Sequence, residues 1–129
     1  MKAPDMVHSS FFSHLSMKRE ENQGDAVVIS VETCREHLLD EDTVGSGVFY
    51  TLLDIAMGTA ASLAGAAPTA TIVLSSTIID PTPAPFFTCT AKVICSRDGI
   101  ASAEGWVYRS DQTLAAIGHG DFKLLKTRG

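Results

Sequence analysis

The chain has 129 residues, enough for one domain that buries a core without staples. Hydrophobic residues make up 45% and charged residues 19%, the balance of a globular rather than a disordered chain. The net charge is −5 with Lys and Arg scattered, which leaves no basic footprint for nucleic acid or an anionic membrane; an anionic ligand would need a local basic spot.

In chain order, residues 6–19 carry Phe11, Phe12 and Leu15 at the spacing of one face of a short helix. Residues 1–25 thus read as an N-terminal extension with that helix, ahead of a fold that together makes 1–129 one domain. No apolar signal stretch precedes a small-residue cleavage site, so a cytoplasmic location is expected. Gly24-Asp25 is a turn, and the β-branched run Ala26 to Glu32 is a strand. Residues 35–46 form a polar connector. Ser46 is the expected N-cap of a long helix, with Gly47 just inside it. Gly65 and Pro68 end the helix after about Ala64.

The helix invites a second reading. Gly47 to Ala67 carries a single charge, Asp54, and is long enough to cross a membrane. It is built from Ala, Gly, Thr and Ser more than from Leu and Ile, and no basic cluster anchors either end. A helix apolar on all sides is also what the centre of a soluble fold requires.

Strands follow. Thr71 to Asp80 is rich in Ile, Val and Thr. Pro81-Thr82-Pro83-Ala84-Pro85 is a rigid loop that cannot join a central ladder. In 87–97 the odd positions Cys89, Ala91, Val93 and Cys95 are apolar and the even ones polar, apart from Ile94. Arg97-Asp98-Gly99 is a hairpin turn. In 100–110 the inward set is small: Ala101, Ala103, Gly105, Val107. After a turn at Ser110-Asp111-Gln112, 113–125 places Leu114, Ala116, Phe122 and Leu124 on one side. These alternations give three antiparallel strands with one face on the core. The expected fold is α+β, one helix wrapped by a curved sheet whose small residues let it close. Cys34, Cys89 and Cys95 form no Cys-x-x-Cys pair and read as buried free thiols; Cys89 and Cys95 share a face.

Two features carry chemistry. Asp54 lies mid-helix among Leu52, Leu53, Ile55, Ala56 and Met57, where an isolated carboxylate is costly unless partnered. It is a candidate site residue, or else faces a narrow groove or an interface. The Gly45-Ser46-Gly47 turn leads into the positive end of the helix, where unpaired N–H groups can polarise a carbonyl. Asp54 lies about two turns beyond Gly47, near the same side. A second chain is one way to close a site between them.

The stretch Val44-Gly45-Ser46-Gly47-Val48-Phe49-Tyr50-Thr51-Leu52-Leu53-Asp54-Ile55-Ala56 resembles the hotdog-fold thioesterases of the phenylacetate-degradation (PaaI-like) type. Their signature is His-Gly-Gly, four residues, Leu, one residue, then Asp or Glu; Gly47, Leu52 and Asp54 fall on it. Thr71 before Pro81, the Arg97-Asp98-Gly99 hairpin, and Leu114-Ala115-Ala116 with Gly120-Asp121-Phe122 extend the resemblance over roughly residues 26–124. It implies a hotdog fold and hydrolysis of acyl-coenzyme A, with no metal and no cofactor beyond the substrate's own coenzyme A. It implies that Asp54 activates water or attacks the thioester, that the Gly47 N–H holds the carbonyl and that Thr71 holds the water. Arg97 then contacts coenzyme A phosphates, Gly45 and Ser46 flank the thioester, and Phe11, Phe12, Phe49 and Tyr50 line a pocket for an aromatic or medium acyl group, or else pack in the core. It implies a homodimer, with Ile100, Trp106 and Tyr108 on the outer sheet face supporting a tetramer.

The pattern is broken at two points. The family His falls on Gly45, and the family Asn falls near Leu39 or Asp40. His37 is a candidate to fold back and replace the His. His8, His14 and His119 read as surface or interface residues. The missing His favours a non-catalytic acyl-CoA or small-ligand binding protein as the alternative. Dehydratase chemistry, which pairs a His with the acid, finds no His near Asp54 in sequence.

Overall fold

The computed structural model describes residues 17–125. The expected helix in 6–19 falls largely outside that range. Its last residues do not continue a helix: Met17–Arg19 is a strand, β1, paired antiparallel with β2 (Val27–Glu32) through Met17 and Val31. Met17 is buried, so this stretch is held by the core rather than by local helical propensity.

The connector is also more structured than its polarity implies. A 3-10 turn at Arg35–His37 runs into a two-stranded ribbon of β3 (Leu38–Asp40) and β4 (Thr43–Val44). The helix α1 spans Ser46–Gly65. Its N-cap is Gly45, one residue before the expected Ser46. The Ser46 side chain makes no capping bond, and Ala66 closes the helix in a left-handed conformation with φ 51°.

Four strands follow, β5 (Thr69–Ile78), β6 (Phe86–Arg97), β7 (Ile100–Arg109) and β8 (Leu114–Leu124). With β1 and β2 they make one antiparallel sheet in the order β1-β2-β6-β7-β8-β5. α1 lies across its inner face and has half of its residues buried there, Phe49, Leu52, Leu53, Ala56 and Met57 completely. The helix that is long and apolar enough to cross a membrane is thus the core helix of this sheet.

The small inward residues explain how the sheet closes on the helix. Gly105 and Gly118 stand opposite each other on β7 and β8. A Cβ on Gly105 would lie 2.8 Å from Leu53 Cδ2, and one on Gly118 3.0 Å from Leu53 Cδ1. Leu53 therefore seats directly on sheet backbone, and Ala101, Ala103, Ala115 and Ala116 continue the same shallow floor.

One alternation breaks. The ladder of β6 on β7 shifts register between Val93 and Cys95, so that Cys95 stands opposite Ser102 of the outer set. An inserted residue flips every later side chain to the other face. Cys89 is buried as expected, Cys95 is exposed and Cys34 is half-buried. Ile94, the one apolar residue among the even positions, marks the bulge.

Candidate active site at the open sheet edge

The site grows from one stripe of α1. Residues at i, i+3, i+4 and i+7 share a helix face, and Gly47, Tyr50, Thr51 and Asp54 make the stripe that the sheet leaves uncovered. Tyr50 is 44% exposed. Phe49, one position over, lies in the core with its ring edge-on to Phe87, centroids 5.3 Å apart. It packs there rather than beside the stripe.

Asp54 points from this stripe toward β5. The Thr71 hydroxyl donates a 2.9 Å hydrogen bond to its Oδ1. The carboxylate is not entombed, as an apolar helix interior would have made it. It is half-buried and partnered, which removes most of the cost of placing it there. Thr71 owes its place to a register shift between Thr71 and Val73 in the β5–β8 ladder.

β5 is the outermost strand and pairs only with β8, so its far edge is open and Ile72 and Val73 are half exposed beside Thr71. A strand edge of this kind is a template for a further strand.

At the other end of the stripe stands the helix start. Gly47 lies in the first turn, where its N–H has no acceptor within the helix. It is exposed, and a Cβ there would meet nothing within 4 Å. Its backbone is thus open to an approaching oxygen. The Gly45 N–H, by contrast, is taken by the His37 carbonyl at 2.9 Å. His37 does fold back to the helix start, but its ring turns to Cys34: Nδ1 accepts the Cys34 N–H at 3.1 Å. The backbone of His37, not its imidazole, meets Gly45.

Arg97 is not in the cluster. It sits on the exposed β6–β7 hairpin, 3.8 Å from Asp98. The next residue, Gly99, accepts the N–H of Leu124, whose side chain packs against Gly65 at the far end of α1. Within one chain, the basic hairpin and the Gly47 turn lie at opposite ends of the helix. His119 is on the outer sheet face opposite Glu104, and His8 and His14 lie outside the described residues.

The proline loop, by sequence a rigid segment outside the ladder, has a further role that its composition does not signal. It braces the helix start: Val44 N–H donates to Pro81 O at 2.8 Å and Thr33 N–H to Pro85 O at 3.0 Å. The loop is in turn gripped by Arg109, which donates to Thr82 O at 2.7 Å and Pro83 O at 3.3 Å and pairs with Asp80 at 3.3 Å. An Arg at the end of a strand carries no local signal for that role.

No protein-family model matches the sequence, and no curated protein matches it significantly. Solved structures do. A thioesterase-superfamily protein of Bordetella superposes with a TM-score of 0.86 at 22% identity, covering 95% of this chain and 93% of its own. A thioesterase of Haemophilus influenzae gives 0.85 at 14% identity, covering 94% and 86%. The Escherichia coli PaaI protein of the phenylacetic acid degradation operon gives 0.84 at 14%, covering 92% and 86%. The chain has the hotdog fold. At these identities the likeness is one of fold, so the chemistry of this hotdog domain rests on its own residues.

Proposed function

We propose that the protein is an acyl-CoA thioesterase whose working unit is a homodimer. The observation that carries this reading is the hydrogen bond from Thr71 to Asp54 at the open sheet edge. It ties a helix carboxylate and a strand hydroxyl into one polar pair, on the same helix stripe as the unpaired Gly47 N–H. The names of the solved structures with this fold, thioesterases among them, agree with it.

In this reading the thioester carbonyl accepts from the Gly47 N–H at the positive end of α1. Asp54 takes a proton from a water held with Thr71, and the water oxygen adds to the carbonyl carbon. The C–S bond then breaks, coenzyme A leaves as a thiolate, and the proton held by Asp54 passes to it. Direct attack by Asp54 forms an anhydride that water then opens to the same products. Neither route uses a metal or a redox cofactor. A second copy added along β5 would cover Ile72 and Val73 and enclose the cluster. It would also bring that copy's Arg97 toward coenzyme A phosphates, a role Arg97 cannot fill from the far end of its own helix. Tyr50, and a second copy's surface, then border the acyl group. Ile100, Trp106 and Tyr108 on the outer sheet face would support a further pairing to a tetramer. The cytoplasm, where coenzyme A thioesters are made and used, is the proposed location.

One observation favours the alternative of a binding protein. Gly45 stands where the resemblance expects a His, it has no side chain, and its N–H is already engaged. Losing one donor from an oxyanion-type site costs roughly 3–4 kcal/mol in the transition state. Hydrolysis of common acyl-CoAs should therefore be slow while binding, spread over pantetheine and nucleotide, persists. The test is a calorimetric titration with coenzyme A beside a panel of acyl-CoAs assayed with a thiol-detecting reagent. Binding with slow release of coenzyme A is expected; binding with no release from any acyl-CoA selects the alternative, and no binding removes the ligand class.

A further inference from the structure

The connector between β2 and α1 contains a buried histidine that the mechanism does not use. The imidazole of His37 is 3% exposed in a stretch whose neighbours Arg35, Glu36 and Leu39 face solvent. Burying a ring nitrogen is costly unless it is bonded, and this one is: Nδ1 accepts the Cys34 N–H at 3.1 Å. The His37 N–H donates back to the Cys34 carbonyl at 3.0 Å, so ring and backbone of His37 close the same 3-10 turn from both sides. The His37 N–H also reaches the Cys34 side chain, so the two residues form a capping box with His in the role of Glu or Gln. The Cys34 sulfur stands 3.5 Å from Nδ1 and 3.7 Å from Nε2. Its thiol is pushed up by its hydrogen bond with the Glu36 carboxylate, which keeps the sulfur a neutral packing partner of the ring.

The carbonyl of the same residue accepts the Gly45 N–H at 2.9 Å. Gly45 is the N-cap, and the donor just before it, Val44 N–H, is fixed to Pro81. Two successive N–H groups entering the helix are thus pinned, one by His37 and one by the proline loop. The two after them, of Ser46 and Gly47, are the ones left pointing outward. Their direction is set by where Gly45 is held.

We infer that His37 is a positioning residue: its buried ring locks the Cys34 turn so that its carbonyl fixes Gly45, and through Gly45 the Gly47 N–H that the substrate carbonyl must meet. The inference rests on the thioesterase reading for its effect on turnover, and on the geometry alone for its effect on the helix start. A small misplacement of such a donor, caused by a change far from the reacting bond, can cost a hundredfold in rate.

Two substitutions separate positioning from mere filling of space. His37→Asn keeps an acceptor oxygen close to where Nδ1 sits but loses ring volume. His37→Phe keeps the volume and loses the acceptor. The readouts are amide hydrogen exchange at Gly45 by nuclear magnetic resonance, and kcat and KM for the best acyl-CoA. The positioning role predicts that His37→Phe speeds Gly45 exchange at least tenfold relative to Leu53 to Ala61 and lowers kcat by roughly tenfold or more with a smaller change in KM. His37→Asn should stay within a few fold of wild type in both. The opposite pattern, Phe behaving as wild type and Asn failing, overturns the inference. If His37→Phe does not fold, His37→Asn decides alone: protection of Gly45 kept supports the role, and protection lost contradicts it. Should wild type hydrolyse nothing, the exchange data still judge His37 while the thioesterase reading falls separately.

Discussion

Replacing Gly105 by Ala is the sharpest probe of how the sheet positions the helix and its carboxylate. The new Cβ would stand 2.8 Å from Leu53 Cδ2 and 3.3 Å from Met57 Cγ, against the roughly 3.5–4.0 Å at which carbons pack. Leu53 has little room to swing aside, because it is completely buried and the Gly118 backbone on the neighbouring strand lies so close that a Cβ there would stand 3.0 Å from Leu53 Cδ1. The helix must lift or the strand must bend. Overpacking of this kind costs roughly 1–3 kcal/mol. Against it stands the gain from removing a glycine's freedom in a strand, about 0.5–1 kcal/mol. Overpacking wins, and a net loss of about 1–2 kcal/mol lowers the melting temperature by roughly 3–10 °C. Thermal and denaturant unfolding measure it directly. The double variant Gly105→Ala with Leu53→Ala should be less destabilised than the sum of the two singles by roughly 1 kcal/mol, because the second change makes room for the first. Asp54 follows Leu53 in the helix, so lifting the helix also strains the bond to Thr71, and turnover should fall with stability. A Gly105→Ala protein as stable as wild type, or a strictly additive double variant, would refute the close seating of Leu53.

Gly45 has φ −60° and ψ 135°, a conformation open to any residue, and a Cβ there meets only the His37 carbonyl at 3.5 Å. Gly45→His should therefore fold normally and raise acyl-CoA turnover; unchanged turnover in a folded variant would show that the missing His is not the limiting defect. Val73→Lys on the open β5 edge should convert a dimer to monomer in light scattering and depress turnover with it; a wild-type monomer at micromolar concentration contradicts edge pairing. Acid should destabilise the protein through three carboxylates. Hydrogen bonds from Ser30 to Glu20, from Thr82 to Asp80 and from Thr113 to Asp111 hold all three below the ordinary carboxylate range, with Lys18 helping at Glu20 and Arg109 at the two Asp residues. A depressed folded-state value contributes stability above about pH 4, and that stability is lost as pH falls through the folded values. Asp111 is exposed and Glu20 and Asp80 are only half-buried, so the effect is modest, and Asp80→Asn should flatten part of the acid limb of a melting curve; an unchanged limb would show that Asp80 contributes nothing.

The fold was legible where one physical signal dominates. The long apolar helix, the strand alternation and the small inward residues of 101–107 each dictate one arrangement, and the structure has it. What the residues could not show locally depends on distant partners. Met17–Arg19 becomes a strand because β2 offers a ladder and the core takes Met17. Cys95 turns outward because of a bulge whose trace was the single misplaced Ile94. At the site, Asp54 stands out as a carboxylate in an apolar helix while Thr71 enters only through the resemblance, and the structure joins the two. Arg97 lies away from them, since hairpin position says nothing about which end of the helix it serves. That His37 can fold back is readable from its place before the helix, but that its carbonyl rather than its ring meets Gly45 is a matter of three-dimensional closure.

The proposed function turns on Asp54. The direct measurement is steady-state release of coenzyme A from the best acyl-CoA of the panel by wild type and Asp54→Asn, with thermal unfolding of both. The Asn variant retains the shape and the Thr71 contact but has neither base nor nucleophile. Turnover should drop by roughly a hundredfold or more at an unchanged melting temperature. Equal turnover in the two folded proteins would contradict the assignment of Asp54.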